Sequence, residues 1–403
     1  MSTTTDAQAG IDLRKSLPII FLARTAINTA HRIIYPFLPS LARGLGISLQ
    51  AASGLVTMRV VAGLAAPFLG VMGDRYGRRR TMESALLLLV LASLMLAGIG
   101  TLPAATIAFA LYGLAKVLYD PSVHAYLGDT VPYRERGRAI GLVELSWSAA
   151  WLIGVPASGF LIEQWGWRAP WIALIPVALA GLWLTHTRLP PAHARSTGEQ
   201  SPPLIASTLA TWHSLLRDRS VVVLLLTSFF LTLANEIPFI VYGAWLEGSF
   251  GLGLATLGLA SMVVGLAEAS AELGTTVLTD RWGKRRSVVV GLLGLAASLL
   301  LLPWLSGLGL AAALVGVVLM ILTFEFAIVS LLPLATELAP NSRASLLSLN
   351  VTAFSLGRIL GALIGGWLWT TQAPSITLHA AVGAICALVG AFLVGRMMGR
   401  FGE

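Results

Sequence analysis

Gly73-Asp74-Arg75-Tyr76-Gly77-Arg78-Arg79-Arg80 returns almost intact as Thr279-Asp280-Arg281-Trp282-Gly283-Lys284-Arg285-Arg286, with Asp74 and Asp280 separated by 206 positions in a chain of 403 residues. The protein is one half written twice. Each copy lies between long apolar runs, so each reads as a short cationic hairpin joining two membrane-spanning helices at the same place in both halves. The hairpin needs its glycines for a tight reversal and its arginines for the anionic face of a membrane.

Working outward, the chain is 56% hydrophobic and 11% charged, with a mean hydropathy of +0.80. Soluble domains carry charge on roughly a quarter of their residues, so this composition belongs in a bilayer. A helix needs about 20 apolar residues to cross the hydrocarbon. Punctuation by Gly, Pro and charge delimits twelve such runs, spans 1 to 12, near 17–41, 50–72, 82–100, 103–128, 138–162, 168–187, 220–246, 255–279, 287–305, 309–336, 344–370 and 375–397. The expected fold is an all-α membrane protein of two pseudo-symmetric six-helix bundles. They occupy 17–187 and 220–397, with a tail at 1–16, a polar linker at 188–219 and a second tail at 398–403. The linker is marked by Pro190, Pro191, Pro202, Pro203, Arg195, Glu199, Arg217 and Arg219.

The duplication extends beyond the hairpins. Asn28 matches Asn235, Tyr35 matches Tyr242, Gly154 and Gly159 match Gly361 and Gly366, and Pro132 matches Pro340, at offsets of 207 or 208. Six helices followed by six of the same orientation form a parallel repeat, which places a binding site between the halves near mid-membrane.

The net charge of +8 could suggest a nucleic-acid partner, but the placement of the basic residues decides otherwise. Twenty of the 27 Lys and Arg fall in the N-terminus, the even-numbered inter-span loops and the C-terminus; five lie inside spans, and only Arg43 and Arg168 occupy odd-numbered loops. The positive-inside rule then expects both termini in the cytoplasm, as an even span count also requires. The cationic loops meet anionic lipid headgroups on that side. The first run contains Arg24 and Arg32, is about 25 residues long and lacks a small-residue cleavage site, so it reads as a retained helix. Cys386 is the only cysteine, which excludes disulfide and thiolate-metal frameworks.

At this point the residues resemble the major facilitator superfamily. Gly70-Val-Met-Gly-Asp74-Arg75-Tyr-Gly77-Arg78-Arg79 is similar to that family's signature after span 2, a glycine four residues before Asp-Arg-x-Gly-Arg-Arg. In the second copy Thr276 replaces the leading glycine. Gly154-Val-Pro156-Ala-Ser-Gly159 resembles the Gly-Pro signature of the family's antiporters, with one glycine and the Gly-Pro adjacency lost. Span 4 carries Lys116 where the family's drug exporters often have an arginine, and Trp165-Gly-Trp-Arg168 is also typical of the family. The resemblance covers essentially the whole chain. It implies a monomeric transporter of a prokaryotic plasma (inner) membrane, and a latch at the cytoplasmic ends of the helices. The latch residues would be Gly70, Asp74, Arg75, Gly77 and Arg78 with Asp129, repeated by Asp280, Arg281, Gly283 and Glu337. The simpler alternative is a topology signal that only holds orientation.

Ionisable residues inside spans each cost about 2.5 to 3.5 kcal/mol on insertion scales unless they face a partner or a cavity. Span 1 has Arg24, Asn28, His31, Arg32 and Tyr35 on one helical face. Span 4 has Lys116, Asp120 and His124 at successive i to i+4 steps, and the first two can pair. Span 7 offers Thr232, Asn235, Glu236 and Tyr242 around Pro238; span 8 Glu268 and Glu272; span 10 Glu325; span 11 Ser355 and Arg358. The resemblance makes spans 1, 4, 7 and 10 the cavity-lining set.

The N-terminal half buries Arg24, Arg32, Arg59, Lys116 and Asp120, net +3, against Glu236, Glu268, Glu272, Glu325 and Arg358, net −3, in the other half, so the halves should attract. Glu268 and Glu272, one turn apart, should repel, which favours holding a proton. Substrate contacts are expected from Asn28, Arg32, Tyr35, Lys116, Asn235, Glu236, Tyr242 and Arg358, and proton coupling from His31, Asp120, Glu236, Glu268, Glu272 and Glu325. Several of these have simpler readings. Arg59 and Arg358 could be ion-pair partners holding the bundle, His31 a packing residue, Glu144 part of the latch, and Arg24 a side chain reaching for the interface. The ladder Gly357, Gly361, Gly365 reads as close helix packing.

The leading expectation is a secondary transporter alternating access between two rocking halves, driven by protons and exporting amphipathic, drug-like small molecules. An organic anion porter is the alternative, because Asn28-Thr-Ala-His31-Arg32 loosely resembles the Asn-x-x-Asp-Arg of anion carriers. A lipid or lysolipid flippase is the third. A receptor with a carrier-like body would need a soluble domain or long tail. An enzyme is weaker still: no phosphate loop, metal-ligand spacing or nucleophile with an adjacent base is present, so no cofactor or metal is expected.

Overall fold

The computed structural model describes residues 13–65, 76–190, 211–339, 342–371 and 375–397, and among them every regular element is helical. Ten helices are long and apolar enough to cross a membrane: Arg78–Gly98, Leu102–Thr130, Glu135–Trp165, Ala169–Arg188, Arg219–Phe250, Leu254–Thr275, Lys284–Gly307, Leu310–Leu338, Ser345–Thr371 and Ile376–Arg396, spans 3 to 12 in order. Span 1 falls short because its first helix, Leu13–Arg32, is rich in polar and charged residues; its second is Ile34–Leu45. Span 2 begins as Leu49–Val61 and a 3₁₀ turn at Ala62–Ala65. Ile34–Leu45 and Leu49–Leu64 are bent by 119° at their junction, beside Gly46 with φ 65°. They are thus the arms of a reversal, the end of one pass and the start of the next, in keeping with a twelve-helix fold.

Matched breaks divide the first helix of each half. Span 1 is interrupted at Ile33 and span 7 at Ile240 and Val241, about one repeat later. Pro36 and Pro39 in one helix and Pro238 in the other lack the N–H that would continue the backbone ladder. Span 5 is loosened instead by a π-helical turn at Ala150–Gly154, just before Pro156.

The hairpins differ from their sequence reading in one respect. Gly77 (φ 91°) and Gly283 (φ 82°) make the reversal in the left-handed region, but the basic residues after them form the first turns of spans 3 and 9. There they tie each half to itself. Arg78 pairs with Asp129 at the end of span 4 (3.5 Å), and Arg79 donates to the Leu189 carbonyl at the end of span 6 (2.9 Å). In the second copy Lys284 pairs with Glu337 at the end of span 10, and Arg285 donates to the carbonyls of Val394 (3.1 Å) and Gly395 (2.8 Å) at the end of span 12. These carbonyls are among those a helix end leaves without partners.

The outer surface is that of a membrane protein. Leu87, Leu91 and Leu94 on span 3, and Leu293, Leu300 and Trp304 on span 9, form exposed apolar stripes at helical spacing. Exposed Trp165 and Trp304 lie at the end opposite the hairpins and Trp282 at the hairpin end, the positions of interfacial aromatic belts.

Candidate functional site

A cavity of about 180 Å³ lies between the halves. Span 1 lines it with His31, Arg32 and Tyr35, and span 5 with Glu144 and Trp147. The second half contributes Asn235, Glu236 and Phe239 from span 7, Glu268 and Glu272 from span 8, Ile321, Phe324, Glu325 and Ile328 from span 10, and Arg358 from span 11. The break in span 1 follows Arg32 directly, so Tyr35 enters from a second helix segment.

Two interactions cross the midline inside the cavity. Arg32 Nη2 lies 2.8 Å from Glu268 Oε1 and 3.0 Å from its Oε2, with the side chains 15% and 7% exposed. Tyr35 donates to Glu236 Oε1 at 3.1 Å and accepts from Arg59 at 3.0 Å, while the other guanidinium nitrogen of Arg59 donates to the His31 carbonyl. Arg59 thereby supports Tyr35 and the broken end of span 1 through two neutral acceptors. Arg32 also lies over the rings of Trp147 (4.5 Å) and Trp151 (5.1 Å), and Lys116 over Trp147 at 3.8 Å.

Several candidate residues are occupied elsewhere. Lys116 pairs with Asp120 (2.9 Å) and donates to Asn28 Oδ1 (2.7 Å), and Asn28 donates to Ser146 (3.1 Å). Arg24 joins Asp120 (3.1 Å) to Glu144 (2.9 Å), and His124 meets the same Glu144 at 2.7 Å. Asn28, Lys116 and Asp120 therefore belong to a charge ladder within the N-terminal half rather than to the cavity lining. Arg24 is 2% exposed, so it pairs inside the bundle instead of reaching the interface. Glu144 takes part in this ladder. Tyr242 also sits back from the cavity, stacked on Phe239 and hydrogen-bonded to Ser261 at 3.3 Å.

Other side chains reach the cavity uncommitted. Among the described residues, Arg358, Glu325 and Glu272 make no hydrogen bond or ion pair within the protein. Asn235 Oδ1 is buried without a partner. Glu268 and Glu272 are thus in unlike settings, one paired and buried, the other exposed. The aromatic walls formed by Trp147, Phe239 and Phe324 were not singled out from the sequence, where an aromatic in a span looks the same whether it faces lipid, core or cavity. Among the described residues no group of three His, Cys, Asp or Glu side chains could hold a metal ion.

The expected latch residues Gly70, Asp74 and Arg75 lie outside the described residues. Arg281 is exposed, and Asp280 is described only as helical backbone. Asp129 and Glu337 take Arg78 and Lys284 as their partners.

A helical membrane body with a charged cavity between duplicated halves defines the class of a membrane carrier. The family model of the Major Facilitator Superfamily matches residues 20–362, and the chain belongs to that family; it is a transporter. It is 26% identical over 367 residues to the MFS-type transporter YwfA of Bacillus subtilis, covering 90% of this chain and 86% of that one. It is 27% identical over 281 residues to a class C tetracycline resistance protein of Escherichia coli, covering 68% and 69%. Its fold matches a crystal structure of a D-xylose-proton symporter with a TM-score of 0.75 at 16% identity, over 96% of this chain and 98% of that one.

Proposed function

We propose that this transporter couples proton uptake to export of amphipathic, drug-like small molecules across a prokaryotic plasma membrane, by alternating access and as a monomer. The observation that carries this reading is the Arg32–Glu268 pair. A carboxylate in the cavity wall holds an arginine of the opposite half, so a proton arriving on Glu268 weakens a contact between the halves. Glu325 and Glu272 stand in the same cavity as further proton acceptors.

Among the described residues, other contacts between halves gather at the end opposite the hairpins. Arg43 pairs with Glu247 (2.9 Å), Glu163 accepts from the Ala255 N–H (3.3 Å), and Gln50 meets Thr370 (3.5 Å). The cavity reaches the other way, through Glu144 and exposed Glu272. With hairpins and termini assigned to the cytoplasm by their positive charge, this arrangement faces inward. Export is supported by the antiporter-like stretch at Gly154–Gly159 and by the similarity to a tetracycline resistance protein.

The test is a proteoliposome assay with an imposed pH gradient and a panel of cationic, neutral and anionic compounds, reading proton flux. Flux dependent on compound and gradient, lost in Glu268→Gln, supports the reading. Normal coupled flux in well-folded Glu268→Gln would sink it. A second reading, an organic anion porter, draws on Arg358, a cavity cation that makes no direct hydrogen bond or ion pair among the described residues; flux with anions alone would favour it.

A further inference from the structure

We propose that the substrate of this cavity is a zwitterion, a small molecule with one cationic and one anionic group on an apolar body. The inference rests on reading the cavity as the transport site, and it follows from which charges are already answered. Arg32 is answered by Glu268 and Glu144 by Arg24 and His124, while Glu236 accepts from the neutral Tyr35 hydroxyl and lies in the field of Arg358. Left without a direct hydrogen bond or ion pair among the described residues are one cation, Arg358, and two carboxylates, Glu325 and Glu272. All three belong to the C-terminal half.

A ligand of single charge fits this remainder badly. A monocation would satisfy Glu325 but strip water from Arg358 and give it nothing, while a monoanion would do the reverse; either leaves a desolvated charge unpaired. A ligand carrying both groups meets both poles with charge-assisted hydrogen bonds. Glu272 is exposed and one turn from Glu268, so it remains in contact with water and free to carry the proton. Phe239, Phe324 and Trp147 supply flat apolar walls for the rest of the molecule. The repeat gives this arrangement a source. Arg358 stands one repeat of 207 residues after Trp151, so the second half has a free guanidinium where the first has a buried indole.

The test uses the whole chain in lipid nanodiscs and calorimetric titration with compounds of one scaffold: phenylalanine (zwitterion), phenethylamine (cation) and 3-phenylpropionate (anion). Phenylalanine should bind the wild type about tenfold or more tighter than either single-charge compound. Arg358→Ala should bring phenylalanine down to the level of the amine while sparing the amine. Glu325→Gln should bring it down to the level of the acid, and Arg358→Lys should restore part of the preference. Retained binding of the single-charge compounds shows that the variants are folded. Equal binding of amine and phenylalanine by the wild type would overturn the proposal, as would equal loss of all three compounds in Arg358→Ala. Zwitterion binding without flux in proteoliposomes would count against coupled transport while leaving this inference standing. Flux and binding of cations alone would do the opposite.

Discussion

Arg32 in span 1 and Glu268 in span 8 form a largely buried ion pair across the midline, at 2.8 and 3.0 Å, with the Arg32 guanidinium over the faces of two tryptophans. Removing one partner leaves the other charge buried alone, which costs about 3 to 5 kcal/mol, whereas removing both does not. Arg32→Met and Glu268→Leu should therefore each lower the melting temperature of the purified protein, and the double variant should melt above both. Independent, additive losses would show that the two residues do not interact.

Within the N-terminal half, Asp120 is held by both Lys116 and Arg24, whereas Glu144 is 34% exposed. Asp120→Asn should destabilise by about 3 kcal/mol because two cations lose their shared anion. Glu144→Gln should cost about 1 kcal/mol or less, since water screens that pair. Thermal unfolding in one detergent orders the two; the reverse order would contradict the ladder described above.

Gly361 lies against span 7, where a Cβ would come 2.6 Å from the Cβ of Glu236. Gly361→Ala should force the helices apart, destabilising by about 1 to 3 kcal/mol and displacing a cavity carboxylate. Gly274 in span 8 has open space around it, so Gly274→Ala should be neutral or stabilise by about 0.5 to 1 kcal/mol. Melting curves of the two variants would check the contrast, and equal effects would refute the close approach at Gly361.

Arg79 and Arg285 act on helix ends in separate halves. Replacing either with Ala should cost about 1 kcal/mol, and the double variant should show the sum, because the sites share no partner. Ligand affinity, measured by the same titration, should stay at the wild-type value. A change in affinity would mean that the hairpins reach the cavity.

Much of the architecture was legible because a bilayer penalises charge and rewards long apolar runs, so span 9 and span 10 declare themselves. The helix-1 region was harder, since Arg24 and Arg32 make a true pass look polar. The charges near the cavity were also conspicuous, Glu325 and Arg358 above all. Their pairing was not, because spacing along a helix does not say which neighbour answers a charge. Asn28 and Lys116 look as exposed to a cavity as Arg32 does, yet they are bound to Ser146 and Asp120. Tyr242 repeats Tyr35 in sequence and still sits behind Phe239, because the two halves pack around the cavity differently.

Arg79 and Arg285 select main-chain oxygens, at Leu189 in one copy and at Val394 and Gly395 in the other. A carbonyl is supplied by any residue, so the receiving positions place no demand on side-chain identity. After duplication the donor must stay basic while the acceptor segment drifts freely, and a contact can persist after every trace of kinship at one of its ends is gone. The near-repeat of the hairpin, with acceptors at Leu189 in one copy and at Val394 and Gly395 in the other, fits such an unequal bargain.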